Sequence, residues 1–477
     1  MLSSLRREVH ARDLTPGHRI FLLVLVSMGS SIIYTPAYLK TVFYDPLMQA
    51  LNATNADLGK LLSAYAITAT ICYLPSGIVA DKVRVRTLGW VGFSTTAALT
   101  FVYALLPSFN TLMLVFVGMG ITTILIWWGI RYKLVRLISE EDEYSRNIGI
   151  SYGIYGAAGL VVNLINLWII GRFVNHLAAG VRTLLIFLGC IILILGVLSF
   201  LFIPKFEGEI NRDGGGFNLH ELTAALRSPV VWLSACCLFF VYFYYTGVAY
   251  TTPYLQTVMG ASLTIVSVVS IVRTYGITLL SGPAFGFMAK AVGSPSRVIV
   301  TGSVVAALIL VVFTFLPTTV AMTVVAAILI ILLGFIGNGV FGIVSSQLTE
   351  GKVPLTIFGT ATGILSVVGF LPDTFSSTWF GAMIDKSGND AYRSIFIILA
   401  VAALLAAAFA LALLFYVRRN KAKLEADEVA AAEHAAGHAS EHGTEHASEH
   451  DGKQASQNSA ASSASSPVDA EAKRGRE

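Results

Sequence analysis

The sequence predicts an all-α membrane protein in which twelve transmembrane helices form two pseudo-symmetric bundles of six. Three observations carry that reading. Hydrophobic residues make up 55% of the 477-residue chain and charged residues only 13%, whereas soluble domains run at about 45–50% and about 25%. Apolar stretches of about 20 residues, each long enough to cross a hydrocarbon core about 30 Å thick as a helix, recur through the first 417 positions. The pentapeptide YLKTV at 38–42 returns as YLQTV at 254–258.

The spans read as roughly 20–44, 58–80, 87–106, 111–138, 147–173 and 182–203, then 229–258, 263–287, 298–316, 319–348, 356–381 and 393–417. The first ends at YDP, the second runs into the loop GIVADKVRVR, and the fourth ends in WWGIRYKLVR. The fifth carries Gly149, Gly153, Gly156 and Gly159, small residues three and four apart that let a helix approach its neighbour closely. Gly334, Gly337, Gly339 and Gly342 crowd the tenth in the same way. No cleavable leader pattern precedes the first span, which is expected to be retained. Cys72, Cys190, Cys236 and Cys237 all fall inside spans and offer neither a disulfide framework nor metal-ligand spacing.

The chain thus divides into an N-terminal segment (1–19), a first bundle (20–203), a linker (204–228), a second bundle (229–417) and a tail (418–477). Counted as far as Lys423, segments on the side of the termini hold nineteen Lys and Arg, against five on the other side, Lys60, Arg172, Arg182, Lys386 and Arg393. Because positive residues are retained inside, N-terminus, linker and tail are expected in the cytoplasm. The net charge of +4 then serves contact with anionic lipid, and nucleic acid is not an expected partner. The tail is too polar to bury a core. Its His434, His438, His442, His446 and His450 recur every four residues, a spacing that suits metal or plain low complexity, and no metal site is expected.

The repeat extends beyond the pentapeptide. Tyr34 and Thr35 return as Tyr250 and Thr251 at the same offset of 216. After YDPLMQALNATNA, which reads as an insertion in the first outer connection, the offset falls to 209 or 210. Gly77 then matches Gly286, Gly149 matches Gly359, Gly171 matches Gly381, and Asn175 matches Asp385. Parallel six-helix repeats of this kind place a substrate site near the midplane where the halves meet.

GIVADKVRVR resembles the loop between helices 2 and 3 of the major facilitator superfamily, G-x-x-x-D-[RK]-x-G-x-[RK], with Gly77, Asp81, Lys82 and Arg86 in place and Arg84 where the second glycine stands. The second copy supplies Gly286 and Gly293, with Lys290 at the acid's position. YTTPYLQTV with GFMAKAVGSP resembles the helix 7–8 region of the organophosphate:phosphate antiporter branch. This likeness implies two bundles that rock about a central site, with the Gly77–Arg86 loop, Gly286 and Lys290 as gating elements. Glu140, Glu141, Asp142 and Glu143, with Arg146, are the expected partners of that loop.

Charge inside a span costs about 2.5–3.5 kcal/mol on insertion scales, so Lys40, Arg131, Lys133, Arg273 and Asp373 are functional candidates. Arg273 either binds substrate or pairs with Asp373; Asp373 either carries a coupling proton or is that partner. Lys40 is answered by Gln256 in the second copy and serves either as an interfacial anchor or in binding. Arg131 and Lys133 follow Trp127 and Trp128, aromatics beside cations that suit an anionic organic ligand or interface packing. With Tyr34, Trp128, Tyr245 and Gln256 these make the candidate substrate-binding set.

No G-x-x-x-x-G-K-[ST] cradle for ATP occurs, and no catalytic constellation or cofactor motif. The sequence therefore points away from an enzyme and towards a monomeric secondary active transporter in the plasma (inner) membrane. Its expected substrate is a small anionic organic metabolite, moved by symport or exchange against a proton or counter-anion. Proton-coupled movement of a neutral sugar, export of a drug, and a metabolite sensor signalling through the tail are the alternatives.

Overall fold

The structure is a computed structural model and describes residues 8–140, 143–207, 209–210, 219–422 and 424; the histidine repeat of the tail lies outside them. The first bundle comprises α1 (Pro16–Ile32), α2 (Asn55–Lys82), α3 (Val85–Ala104), α4 (Phe109–Ile138), α5 (Tyr144–Gly171) and α6 (Leu177–Phe202). The second comprises α7 (Pro229–Thr257), α8 (Leu263–Gly276 with Thr278–Val292), α9 (Pro295–Phe313), α10 (Val320–Ile343), α11 (Leu355–Gly369 with Pro372–Ser387) and α12 (Ala391–Arg419). A short parallel pair, β1 (Glu8–Val9) with β2 (Lys205–Phe206), ties the N-terminal segment to the linker.

Local chemistry sets the helix starts. Thr15 caps α1 by accepting from the His18 amide, with Pro16 in the first turn, where its missing donor costs nothing. Thr54 and Asp57 close a capping box on α2. Ser294 caps α9 ahead of Pro295.

Besides the break of α8 at Ile277, the structure departs from expectation in α1, in the first connection and in α11. Regular α1 stops at Ile32, and 33–41 continues as turns and a 3-10 stretch, Leu39–Thr41, because Pro36 lacks a donor and restrains the residue before it. The YDPLMQALNATNA insertion is not an open loop: Tyr44–Leu51 is helical, ended by Asn52 in the left-handed region at φ 48°. α11 breaks at Phe370 and Leu371, where Pro372 starts a new segment.

The packing repeats as the sequence does. α3 lies against α6 as α9 lies against α12, α1 against α5 as α7 against α11, and α2 against α4 as α8 against α10. α2 meets α11 and α5 meets α8 across the cleft between bundles. One face carries β1, β2 and the 2–3 loop and is called the basic face here; the other, with the 1–2 connection, is the far face.

On the basic face, Glu140 and Glu143 do not partner the 2–3 loop. Glu140 lies 3.7 Å from Arg19 and Glu143 2.7 Å from Arg146, while Glu141 and Asp142 are outside the described residues. The β1–β2 pairing instead brings Glu8 and Glu209 to Arg84, the second at 3.6 Å. The residue that replaces the loop's second glycine thus holds the linker.

Candidate functional site

The cleft is shut at the far end by direct backbone contact. A Cβ on Gly59 would run into the Ser377 carbonyl, and one on Gly381 into the Asn55 carbonyl. Asp385, at the end of α11, accepts from the Asn55 amide at 3.0 Å, the Asn55 side chain at 2.7 Å and the Ala56 amide at 2.8 Å. Its carboxylate thereby satisfies donors at the first turn of α2, where negative charge is favoured. Ser63 and Thr378 share a 2.8 Å bond across the same seam, and Thr252 donates to the Thr41 carbonyl at 3.0 Å.

Towards the basic face the same four helices part. Gly77 of α2, Gly149 and Gly153 of α5, Gly282 and Gly286 of α8 and Gly359 of α11 each have nothing within 4 Å of where a Cβ would stand. Between these ends an aromatic belt crosses the cleft. Trp128 packs edge-on against Tyr73 at 5.3 Å, Tyr73 on Phe370 at 5.2 Å, and Phe370 on Tyr242 at 4.7 Å. Phe341 extends it, 5.6 Å from Tyr242 and stacked parallel on Tyr245 at 5.0 Å.

Asp373 lies just beyond the belt and is buried. Its Oδ2 accepts from Tyr38 at 3.2 Å and from Tyr242 at 2.7 Å, one tyrosine from each bundle. Lys40 is buried in the same region, its Nζ 5.6 Å from the Tyr250 ring and without a hydrogen-bond partner among the described residues. Its charge is within electrostatic reach of Asp373, yet the two make no direct ion pair.

Two bundles, parallel repeats and a polar, aromatic-lined cleft at their junction are a transporter's architecture, and the comparisons with known proteins agree. The family model of the Major Facilitator Superfamily matches residues 20–377. The chain belongs to that superfamily. Among curated relatives, this facilitator is 29% identical over 384 residues to the inner membrane protein YqcE of Escherichia coli, covering 79% of this chain and 90% of that one. It is 24% identical over 416 residues to the Escherichia coli inner membrane protein YihN, covering 85% and 98%. Among solved structures, a bacterial homologue of the human lysosomal transporter Spinster, inward-facing and unoccupied, aligns with a TM-score of 0.68 at 16% identity, over 84% of this chain and 98% of that one. The nucleoside transporter NupG aligns with 0.61 at 18% identity, over 83% and 98%. This facilitator is therefore a multi-pass inner membrane transporter working by alternating access, and not an enzyme.

The structure sorts the residues that the sequence singled out in the facilitator. Lys40, Trp128, Tyr245 and Asp373 come together at or beside the belt; Tyr245 donates to Asn338 at 3.2 Å. Tyr34 donates to the Thr123 carbonyl of α4 at 3.3 Å, on the first-bundle wall. Gln256 is half-buried on the last turn of α7. Trp127, by contrast, is core: it donates to Ser30 at 3.3 Å and packs on Phe93 at 4.2 Å.

Arg273 and Asp373 are not the ion pair that one reading expected. A five-residue π-helical stretch, Val272–Gly276, carries Arg273 and directs it towards the 3-10 stretch Val248–Tyr250 within α7. There it donates to the Val248 carbonyl at 3.1 Å, Thr251 at 3.0 Å, Thr252 at 3.1 Å and, across the cleft, the Thr41 carbonyl at 2.9 Å. These oxygens satisfy the guanidinium without a carboxylate, and Asp373 is satisfied by tyrosines.

Lys133 donates to the Ala80 carbonyl at the basic end of α2, away from the belt. Asp81, Lys82 and Lys290 are exposed on the basic face, and Arg86 lies 4.6 Å from the Phe200 ring. Sequence reasoning missed Tyr38, Tyr73, Tyr242 and Phe370. Tyr38 stands inside the repeated pentapeptide, and the clue was its neighbour Lys40, since residues two apart on this bent segment share the site.

Proposed function

We propose that this protein moves a small anionic organic metabolite across the inner membrane, by symport or exchange, as a monomer without a cofactor. The nineteen-to-five bias of Lys and Arg supports cytoplasmic termini, so the parted end faces the cytoplasm and the state described is inward-facing. The observation that carries the substrate class is the buried Nζ of Lys40, which lacks a hydrogen-bond partner among the described residues. A buried ammonium offset only by a ring face and a carboxylate it does not touch is costly, and a ligand anion offsets that cost. The belt from Trp128 to Tyr245 receives the ligand's flat or ring-shaped body, and Asp373 with Tyr38 and Tyr242 takes a hydroxyl or amine. The resemblance to the organophosphate:phosphate antiporters puts sugar phosphates first among candidates, followed by sulfonates and carboxylates.

Because Tyr38 and Tyr242 come from opposite bundles, separation of the bundles at this level strips Asp373 of a donor. That supports Asp373 as the group whose protonation accompanies the conformational change. A neutral ligand is the second reading, favoured by the same belt, since stacked aromatic faces also hold an uncharged ring, and NupG is a nucleoside transporter. Uptake into proteoliposomes of a panel of sugar phosphates, sulfonates, carboxylates, free sugars and nucleosides separates the two. Lys40→Gln is expected to cost at least about tenfold in kcat/KM for the anionic substrate, which is about 1.4 kcal/mol. Unchanged uptake by Lys40→Gln overturns the anionic assignment. Deleting 421–477 is expected to leave flux intact, whereas a sensor would lose its output.

A further inference from the structure

We propose that Arg131 and the tyrosines around it form a second anion-binding station, in the parted half of the cleft, which holds the ligand's anionic group before it reaches Lys40. The inference rests on the anionic reading above.

Arg131 is 8% exposed. Its Nε donates to Ser151 of α5 at 3.2 Å, and Ser151 accepts from Ser27 of α1 at 2.7 Å. Rings surround the guanidinium: Tyr152 at 4.2 Å, Tyr155 at 5.3 Å and Tyr132 at 5.9 Å from Cζ. Its Nη2 is buried with no hydrogen-bond partner, and among the described residues it makes no ion pair. Arg273 is the contrast within the same molecule, a buried arginine whose two terminal nitrogens reach five oxygens. Aromatic faces stabilise the charge of Arg131 but leave a donor unused, and a guanidinium fork is shaped for carboxylate, phosphate or sulfonate.

The cage also opens in the required direction. Tyr152 and Tyr155 precede Gly156 and Gly159 by one helical turn, and those glycines face Leu279 and Tyr275 of α8 across the cleft. Gly149 and Gly153, beside the cage, have nothing within 4 Å, and Tyr152 is 46% exposed. Through Ser151, Arg131 sits level with Ser27 of α1, whereas Lys40 lies eight residues past the end of that helix at Ile32, on the 3-10 stretch whose Thr41 meets the second bundle at the closed far end. A small anion cannot touch both cations, so they act in succession.

Thermal stabilisation of the full-length purified protein by inorganic phosphate at constant ionic strength tests this, with wild type, Arg131→Gln, Arg131→Lys, Lys40→Gln and the double variant Lys40→Gln/Arg131→Gln. The expected result is a phosphate response that survives Lys40→Gln, weakens about tenfold in Arg131→Gln/Lys40→Gln relative to Lys40→Gln alone, and is weakened in Arg131→Lys, which keeps the charge and loses the fork. Should Arg131→Gln fail to fold, Arg131→Lys and a Tyr152→Cys variant, whose labelling by a thiol reagent phosphate should slow, carry the test. Loss of the whole response in Lys40→Gln, with Arg131→Gln unchanged, overturns the station and leaves the anionic reading standing. No response to phosphate, sulfonates or carboxylates in any variant, with transport of a neutral solute intact, overturns both.

Discussion

Gly59 and Gly381, at the far end of the cleft, press on backbone of the opposite bundle, while Gly149 and Gly359, at the basic end, meet nothing within 4 Å. On α2, with Gly59 and Gly77, and on α11, with Gly381 and Gly359, the same kind of residue is thus used for contact at one end and left free at the other. A transporter that alternates must be able to bring its helices together at either end, and a closed end here means backbone against backbone, with no room for a side chain. Glycine at the parted end then reads as provision for the state in which that end closes.

That comparison is most directly broken by filling each end in turn. Gly59→Leu is expected to keep the far end from closing and to cost two orders of magnitude or more in flux; Gly153→Leu is expected to cost as much by keeping the basic end from closing. Labelling single cysteines with a membrane-impermeant thiol reagent from either side distinguishes the two trapped states. Normal transport by Gly153→Leu would mean that the basic end does not close by helix approach.

The far end is also pinned by side chains, and their removal sharpens the picture. Arg273→Leu removes the guanidinium's bonds to Val248, Thr251, Thr252 and Thr41, whose oxygens keep only the hydroxyl bonds of Thr251, Thr252 and Ser270, at about 1 kcal/mol or more for each bond lost. A clear loss of thermal stability with far-face labelling increased is the expected outcome; an effect confined to substrate KM would mark Arg273 as a ligand contact instead. Asp385→Ala removes three bonds to the first turn of α2 at an exposed site, where charge effects are modest, about 1 kcal/mol. It should move the population towards the far-open state several-fold, read by the same labelling, without altering the fold.

The smallest effect is expected at the basic face, inside one bundle. Burial raises the pKa of Glu209 above the ordinary carboxyl value of 4.5, and hydrogen bonds from the Val85 and Phe206 amides, then the charges of Lys133 and Arg84, pull it only partly back. An acid with a raised folded pKa favours the fold while protonated, and that contribution is lost as pH rises through the folded value. Thermal stability should therefore decline slightly as pH rises above 4.5 towards and through that value, and Glu209→Gln should flatten the decline. A Glu209→Gln protein with an unchanged pH profile would remove the linker from the stability of this face.

The repeated pentapeptide shows how far local sequence reaches. Tyr38 and Tyr254 are equivalent letters, yet Tyr38 donates to Asp373 in the cleft, whereas Tyr254 is packed among Phe313, Tyr392 and Phe396 inside the second bundle. Lys40 was recognisable because a charge in an apolar span stands out in one dimension. Tyr73 and Phe370 were not, because an aromatic in a span is ordinary until its neighbours from the other half are known.

Apolar run length, the 209–216 residue offset and the GIVADKVRVR loop determined by themselves the twelve spans, their repeat and the family, since each is legible along the chain. Which buried charges are satisfied was decided only by the tertiary structure. Arg273 finds the Thr41 carbonyl 232 positions away, and Asp373 finds Tyr38 335 positions away, while Lys40 and Arg131 keep unused donors. Desolvation is a cost written residue by residue along the chain, but its compensation comes from whatever the packed bundles place within hydrogen-bonding distance.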